Sequence, residues 1–120
     1  MSDLLGVAIT GVSGRMGQML VESVHASETA TLVGALERPD HPWVGQDLGC
    51  VMQKSETGLI VQDKAENVFA HADVVIDVTS PAATVAFAKQ AAQTGTAHVI
   101  GTRGLSDEDL AAVAKAAEKR

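Results

Sequence analysis

Apolar positions along the chain follow two alternating patterns. Short aliphatic runs occupy residues 5–10, 31–36, 59–61, 74–78 and 98–100, and each switch of pattern falls at Gly, Pro, Asp or Ser. The runs are almost uniformly apolar, as expected of strands in a parallel sheet covered on both faces. Between them, residues 15–27, 65–70, 82–94 and 107–119 carry helical patterns. Strand and helix in turn predict an α/β domain with a doubly wound parallel sheet.

Helix punctuation supports this layout. Ser80 is placed to cap the third helix with Pro81 at N1, where a missing N–H costs nothing. Ser106 and Asp109 have the spacing of a capping box, and Asp107 and Glu108 complement the positive end of the helix dipole. Lys115, Lys119 and Arg120 suit the other end. The irregular stretch 38–58, with Pro39, Pro42, Gly45 and Gly49, is too long for a turn and predicts a loop near a ligand.

Composition narrows the function. At 120 residues, 46% of them hydrophobic and 20% charged, the chain is expected to form one domain over 1–120 with one core. Only 2% are aromatic (Phe69, Phe87 and Trp43, with no Tyr), so the core is aliphatic and base-stacking surfaces are excluded. A net charge of −6 disfavours nucleic acid and anionic membrane as partners, so any bound anion needs a local device. Cys50 is single and no apolar run is long enough to span a bilayer, which together with the start of the chain points to a soluble cytoplasmic protein. His25, His41, His71 and His98 lack ligand spacing, so no metal site is expected and each is read as a surface or core residue. Asp77, at the end of an apolar run, is read as ordering the turn that follows.

The strongest local signal is Val7-Ala8-Ile9-Thr10-Gly11-Val12-Ser13-Gly14-Arg15-Met16-Gly17, a strand running through a glycine-rich turn into a helix. Gly11 permits the turn, Gly14 lets backbone approach a pyrophosphate, and Gly17 lets helix and strand pack closely. The helix N-terminus then offers N–H groups and partial positive charge to phosphates. Glu37 stands 20 positions after Gly17, where a carboxylate at the end of the second strand bonds ribose hydroxyls. These features predict a Rossmann-like dinucleotide site. Two readings stand for Arg38: a clamp for a 2′-phosphate, which with Glu37 points to both NADH and NADPH, or a solvated loop charge. The glycine spacing also fits short-chain dehydrogenases, but their catalytic Tyr has no counterpart here. A P-loop is unsupported because no Lys-Ser or Lys-Thr closes the turn.

Gly14-Arg15-Met16-Gly17, Ala35-Leu36-Glu37-Arg38, Ile76-Asp77-Val78-Thr79-Ser80-Pro81 and Val99-Ile100-Gly101-Thr102-Arg103-Gly104 together resemble the bacterial 4-hydroxy-tetrahydrodipicolinate reductases. The motifs occur in the family's order along nearly the whole chain. The resemblance implies that Gly11, Val12, Ser13, Gly14, Arg15 and Met16 cradle the pyrophosphate. It also implies that Glu37 and Arg38 read the adenosine ribose, and that Gly101, Thr102 and Arg103 lie beside the nicotinamide. Thr79 and Gly101 follow strand ends, where open α/β sheets bind ligands, but a helix cap and a loop glycine are equally good readings of them. The sequence departs from the family at Arg103, where a second Thr is usual, and at Val78, where many members carry Phe.

The resemblance further implies that the substrate domain, with its His-His motif and lysine, lies beyond Arg120. The chain is then expected to be a truncated N-terminal domain that meets a small dicarboxylate only in company with that domain and is inactive alone. The rival expectation is a stand-alone NAD(P)-binding sensor or regulatory module. An uncovered sheet edge would favour a homo-oligomer.

Overall fold

In the computed structural model, which describes residues 4–118, four strands form one parallel sheet. In chain order the elements are β1 (Leu5–Thr10), α1 (Arg15–His25), β2 (Ala30–Leu36), α2 (Leu48–Val51), α3 (Ala65–Ala70), β3 (Val74–Asp77), α4 (Pro81–Thr94), β4 (Ala97–Ile100) and α5 (Asp107–Ala117). The sheet order is β2-β1-β3-β4. From β1 the chain moves outward to β2 through α1, and then returns to place β3 on the other side of β1. The order therefore reverses between β1 and β3, and in open α/β sheets ligands bind outside the strand ends at that point.

The uniform apolarity of β1 comes from burial on both faces. Val7, Ala8, Ile9 and Thr10 are each no more than 4% exposed. Val7 and Ile9 pack with Val21 and Val24 of α1, while Ala8 packs with Val68 and Phe69 of α3, Val75 of β3 and Ala91 of α4. Each buried Val or Ile contributes about 1.5–3 kcal/mol relative to an exposed one. Helices on both faces make the sheet doubly wound, as the sequence predicted.

One predicted strand is not formed. Residues 59–61 make only the isolated bridge of Ile60 opposite Asp47, and Gln62 just after them bridges Leu36. Their backbone instead pairs with the preceding loop: Leu48 N–H donates to Leu59 O, Val61 N–H to Gln46 O and Gly45 N–H to Val61 O. Val61, 1% exposed, plugs the α1 side of the core. The run is apolar because the loop folds it inward.

The stretch expected to be irregular contains the short α2. Asp47 organises it, its carboxylate accepting from the N–H groups of Cys50, Thr57 and Gly58. These backbone bonds, led by that of Thr57, hold the Asp47 pKa below its ordinary value. Helix α1 stops two residues short of expectation because the Ser27 hydroxyl accepts from the Thr29 and Ala30 N–H groups and forms a turn. Ser80 caps α4, with Pro81 in its first turn, and Gly95 closes it at φ 72°. The capping box of Ser106 and Asp109 is formed in both directions. The expected helix end at Lys119 lies outside the described residues. Among the described residues no helix is long and apolar enough to cross a membrane.

Candidate cofactor site

At the reversal point, a cleft of about 530 Å³ opens over the ends of β1, β2 and β3. Gly11, Ser13 and Gly14 of the glycine-rich turn form one side, Glu37 and Arg38 follow β2, and Val78, Thr79 and Ser80 follow β3. Leu36, Ala65, Ala83, Ala86 and Phe87 give it an apolar wall, and Pro39 and Asp63 complete its rim. A groove of similar volume, about 560 Å³, lies between α4 and α5, lined by Lys89, Gln93, Lys115 and alanines. It contains none of the candidate residues and no strand end, so the cleft is the site on which the chemistry converges.

Steric demands fix two of the glycines. Gly11 has φ +69°, and a Cβ there would lie 2.6 Å from Val78 O, so no other residue lets the turn pass β3 so closely. A Cβ on Gly17 would lie 2.4 Å from Gly11 O and 2.8 Å from Val12 Cα, so α1 can approach the turn only with glycine here. A Cβ on Gly14, the α1 N-cap, would meet Gly11 O at an ordinary 3.5 Å, and the residue offers no side-chain cap. No acidic residue stands in the first turn of α1. The helix thus carries no counter-charge of its own at the positive end of its dipole, an arrangement that fits a phosphate, while the carboxylate of Glu37 stands on the turn before it.

Glu37 is only 8% exposed, and its Oε2 accepts from Ser13 N–H at 2.8 Å and Ser13 Oγ at 2.6 Å. The carboxylate thus ties the end of β2 to the glycine-rich turn. Among the described residues, Oε1 accepts only from Arg38 N–H, at 3.3 Å, and retains capacity for a further donor. Arg38 points into solvent, its Nε 3.1 Å from Asp40 Oδ1. An exposed pair of this kind contributes little and yields readily to a stronger anion.

The remaining candidates are placed differently. Val12 is fully buried, so its side chain belongs to the core and only its backbone can face the turn. Arg15, Met16, Gly101 and Arg103 are exposed and lie outside the cleft lining. Thr102 is half-buried and supports Thr79 from behind: its Oγ1 accepts from Thr79 N–H at 3.1 Å and from Thr84 Oγ1 at 2.7 Å. Gly101 N–H donates to Asp77 O at 2.8 Å.

Asp77 gathers the strand ends. It is fully buried, and its Oδ1 accepts from Thr10 Oγ1 at 3.0 Å and Thr79 Oγ1 at 2.5 Å, while Oδ2 lies 2.9 Å from His98 Nε2. Burial alone would raise its pKa, but these hydrogen bonds, led by His98 and then Thr79, outweigh burial and hold it below 3.8. The sequence reading of Asp77 as a turn-ordering residue agrees with this geometry. His98 as its partner was not foreseen, nor was Asp63 on the rim. Position parity carried a signal for the first: Val75 registers with His98 and Asp77 with Ile100, so the two side chains share a sheet face one step apart.

Residues 5–120 match the family model described as dihydrodipicolinate reductase, N-terminus. The chain belongs to this family. It is 50% identical over 118 residues to the 4-hydroxy-tetrahydrodipicolinate reductase of a Ruegeria species, covering 98% of this chain and 44% of that protein. Against the reductase of Cereibacter sphaeroides it is 53% identical over 117 residues, with the same coverage. The chain thus spans less than half the length of these reductases. A solved dihydrodipicolinate reductase from a Paenisporosarcina species, with dipicolinate bound, superposes with TM-score 0.74 and 31% identity over 96% of this chain and 43% of that one. A biliverdin reductase from Synechocystis superposes with TM-score 0.72 at 18% identity, which extends the likeness in fold. The family assignment agrees with the motif resemblance, and the parallel sheet is that of the reductase N-terminal domain.

Proposed function

We propose that this chain is the NADH- and NADPH-binding domain of a 4-hydroxy-tetrahydrodipicolinate reductase acting in diaminopimelate and lysine biosynthesis. The observation that carries the proposal is the cleft at the sheet reversal, where an uncapped helix N-terminus faces a turn held by Glu37. The backbone of residues 11–16 would hold the pyrophosphate. Oε1 of Glu37 would accept from an adenosine ribose hydroxyl, and Arg38, released from Asp40, would take the 2′-phosphate of NADPH. The apolar wall of Leu36, Ala65, Ala83 and Phe87 suits an adenine ring. Thr79, with Gly101, Thr102 and Arg103 beyond it, stands on the side assigned to the nicotinamide. When bound, the reduced nicotinamide supplies a hydride, and this domain supplies position and electrostatics.

The dicarboxylate bound in the Paenisporosarcina reductase supports a small cyclic dicarboxylate as the hydride acceptor. Substrate binding and turnover are assigned to the part of the reductase that this chain does not span, so the chain alone is inactive. The reading places it in the cytoplasm with its pathway.

Calorimetric titration with NADH and NADPH at matched ionic strength tests the proposal. One-to-one binding of both is expected. Glu37→Ala weakens both, because Ser13 loses its anchor, but weakens NADH more; Arg38→Ala weakens NADPH by about tenfold and NADH little. Equal losses of both cofactors in both variants contradict the assigned roles.

A further inference from the structure

His98 lies outside the cleft, yet it is bonded to the group that shapes one of its walls. Its side chain is 8% exposed and that of Asp77 is 0% exposed, so the 2.9 Å contact between Nε2 and Oδ2 is made away from water. A carboxylate buried this deeply needs donors on both oxygens. Oδ1 has the hydroxyls of Thr10 and Thr79, which come from the ends of β1 and β3 on either side of the reversal point. On Oδ2 the structure gives it His98.

The Thr79 segment carries this anchorage into the cleft. Thr79 lines the cleft, its hydroxyl held by Asp77 and its N–H by Thr102. Backbone from the end of β4 joins the same knot through Gly101 N–H and Asp77 O. If Oδ2 loses its donor, the carboxylate must turn toward other donors or take up a proton. Either change withdraws Oδ1 from the hydroxyls it now aligns.

We propose that His98 is a positioning residue for the cofactor cleft: by satisfying Asp77 Oδ2 it leaves Oδ1 to fix Thr10 and Thr79, and so sets the wall formed by residues 78–80. The proposal rests on the reading of the cleft as a dinucleotide site. Only Nε2 of the imidazole is used, since Nδ1 has no hydrogen-bond partner among the described residues. A side chain that presents one N–H at the Nε2 position therefore replaces His98 in this role, and an apolar side chain of similar size does not.

The test compares the wild-type chain with His98→Leu and His98→Gln, using calorimetric NADH affinity, the backbone amide resonances of Thr79 and Thr102, and melting temperature. His98→Leu is expected to bind NADH about tenfold more weakly and to shift both amides in the unliganded chain. His98→Gln is expected to restore wild-type affinity to within about threefold, and both amide positions, even where its melting temperature stays low. Val24→Ala, a core truncation on the opposite, α1 side of the sheet, is the stability control, and it lowers the melting temperature without changing NADH affinity. Should His98→Leu not fold, His98→Asn, whose shorter amide falls short of Oδ2, carries the same comparison with His98→Gln.

Affinity that follows melting temperature across all variants, whichever donor is present, overturns the positioning role. Unmoved Thr79 and Thr102 amides in His98→Leu overturn it as well, with or without cofactor. Failure of the wild-type chain to bind either dinucleotide would instead refute the reading of the cleft, while the amide shifts would still report on the anchorage itself.

Discussion

Single residues in this protein hold two kinds of information, and only one of them is local. The position of Glu37 at the end of β2 was legible because its distance from Gly17 follows from strand and helix lengths. What it holds there, Ser13 through Oε2, depends on two loops meeting in space. Asp77 was legible as a turn-former, but its partner sits on another strand 21 positions away. The lowered pKa of Asp77 has a measurable consequence. A carboxylate whose folded pKa is depressed contributes stability that is present above its unfolded pKa and is lost as pH falls through the lower folded value. Asp77→Asn should therefore destabilise the chain by about 3 kcal/mol at neutral pH. The difference from wild type should shrink below pH 3.8, the ordinary value for this group. Urea unfolding of both proteins at neutral and acid pH checks this, and a difference independent of pH would contradict it.

Elements whose ends are written in short-range chemistry were the easiest to foresee. The capping box at α5 and the Ser80-Pro81 start of α4 need only residues three apart, and both formed as expected. Ser106→Ala should cost about 1 kcal/mol. The loss should appear as faster amide hydrogen exchange in the first turn of α5, with the β1 amides unchanged; uniform acceleration across the sheet would show that the cap supports more than its helix. Residues 59–61 mark the limit of this kind of reading. A three-residue apolar run has no periodicity, and burial under a loop looks the same in sequence as burial in a strand. The hydrogen bonds that decide between them come from Gln46 and Leu48.

For the molecule as a whole, the cleft we propose for the dinucleotide has little in it that would hold a second anion. Arg38 is the one cationic side chain among the described residues of the cleft lining, and it faces Asp40. A dicarboxylate therefore finds little to bind. The purified chain mixed with NADH and the cyclic precursor of diaminopimelate should show no loss of reduced-nicotinamide absorbance above a protein-free control, and steady turnover would refute the proposal that the chain alone is inactive. What the sequence determined by itself were the features set by spacing: the strand–turn–helix with its three glycines, the carboxylate after β2, the helix caps, and a central strand buried on both faces. Each depends on a few residues close in the chain, where backbone geometry and periodic burial leave a readable trace. The strand order and the loop plug at Val61 were decided by tertiary structure alone, and the His98–Asp77–Thr79 anchorage, for which position parity gives a shared face but no partner, was completed by it. They join residues whose distance in sequence carries no fixed distance in space until the sheet has formed.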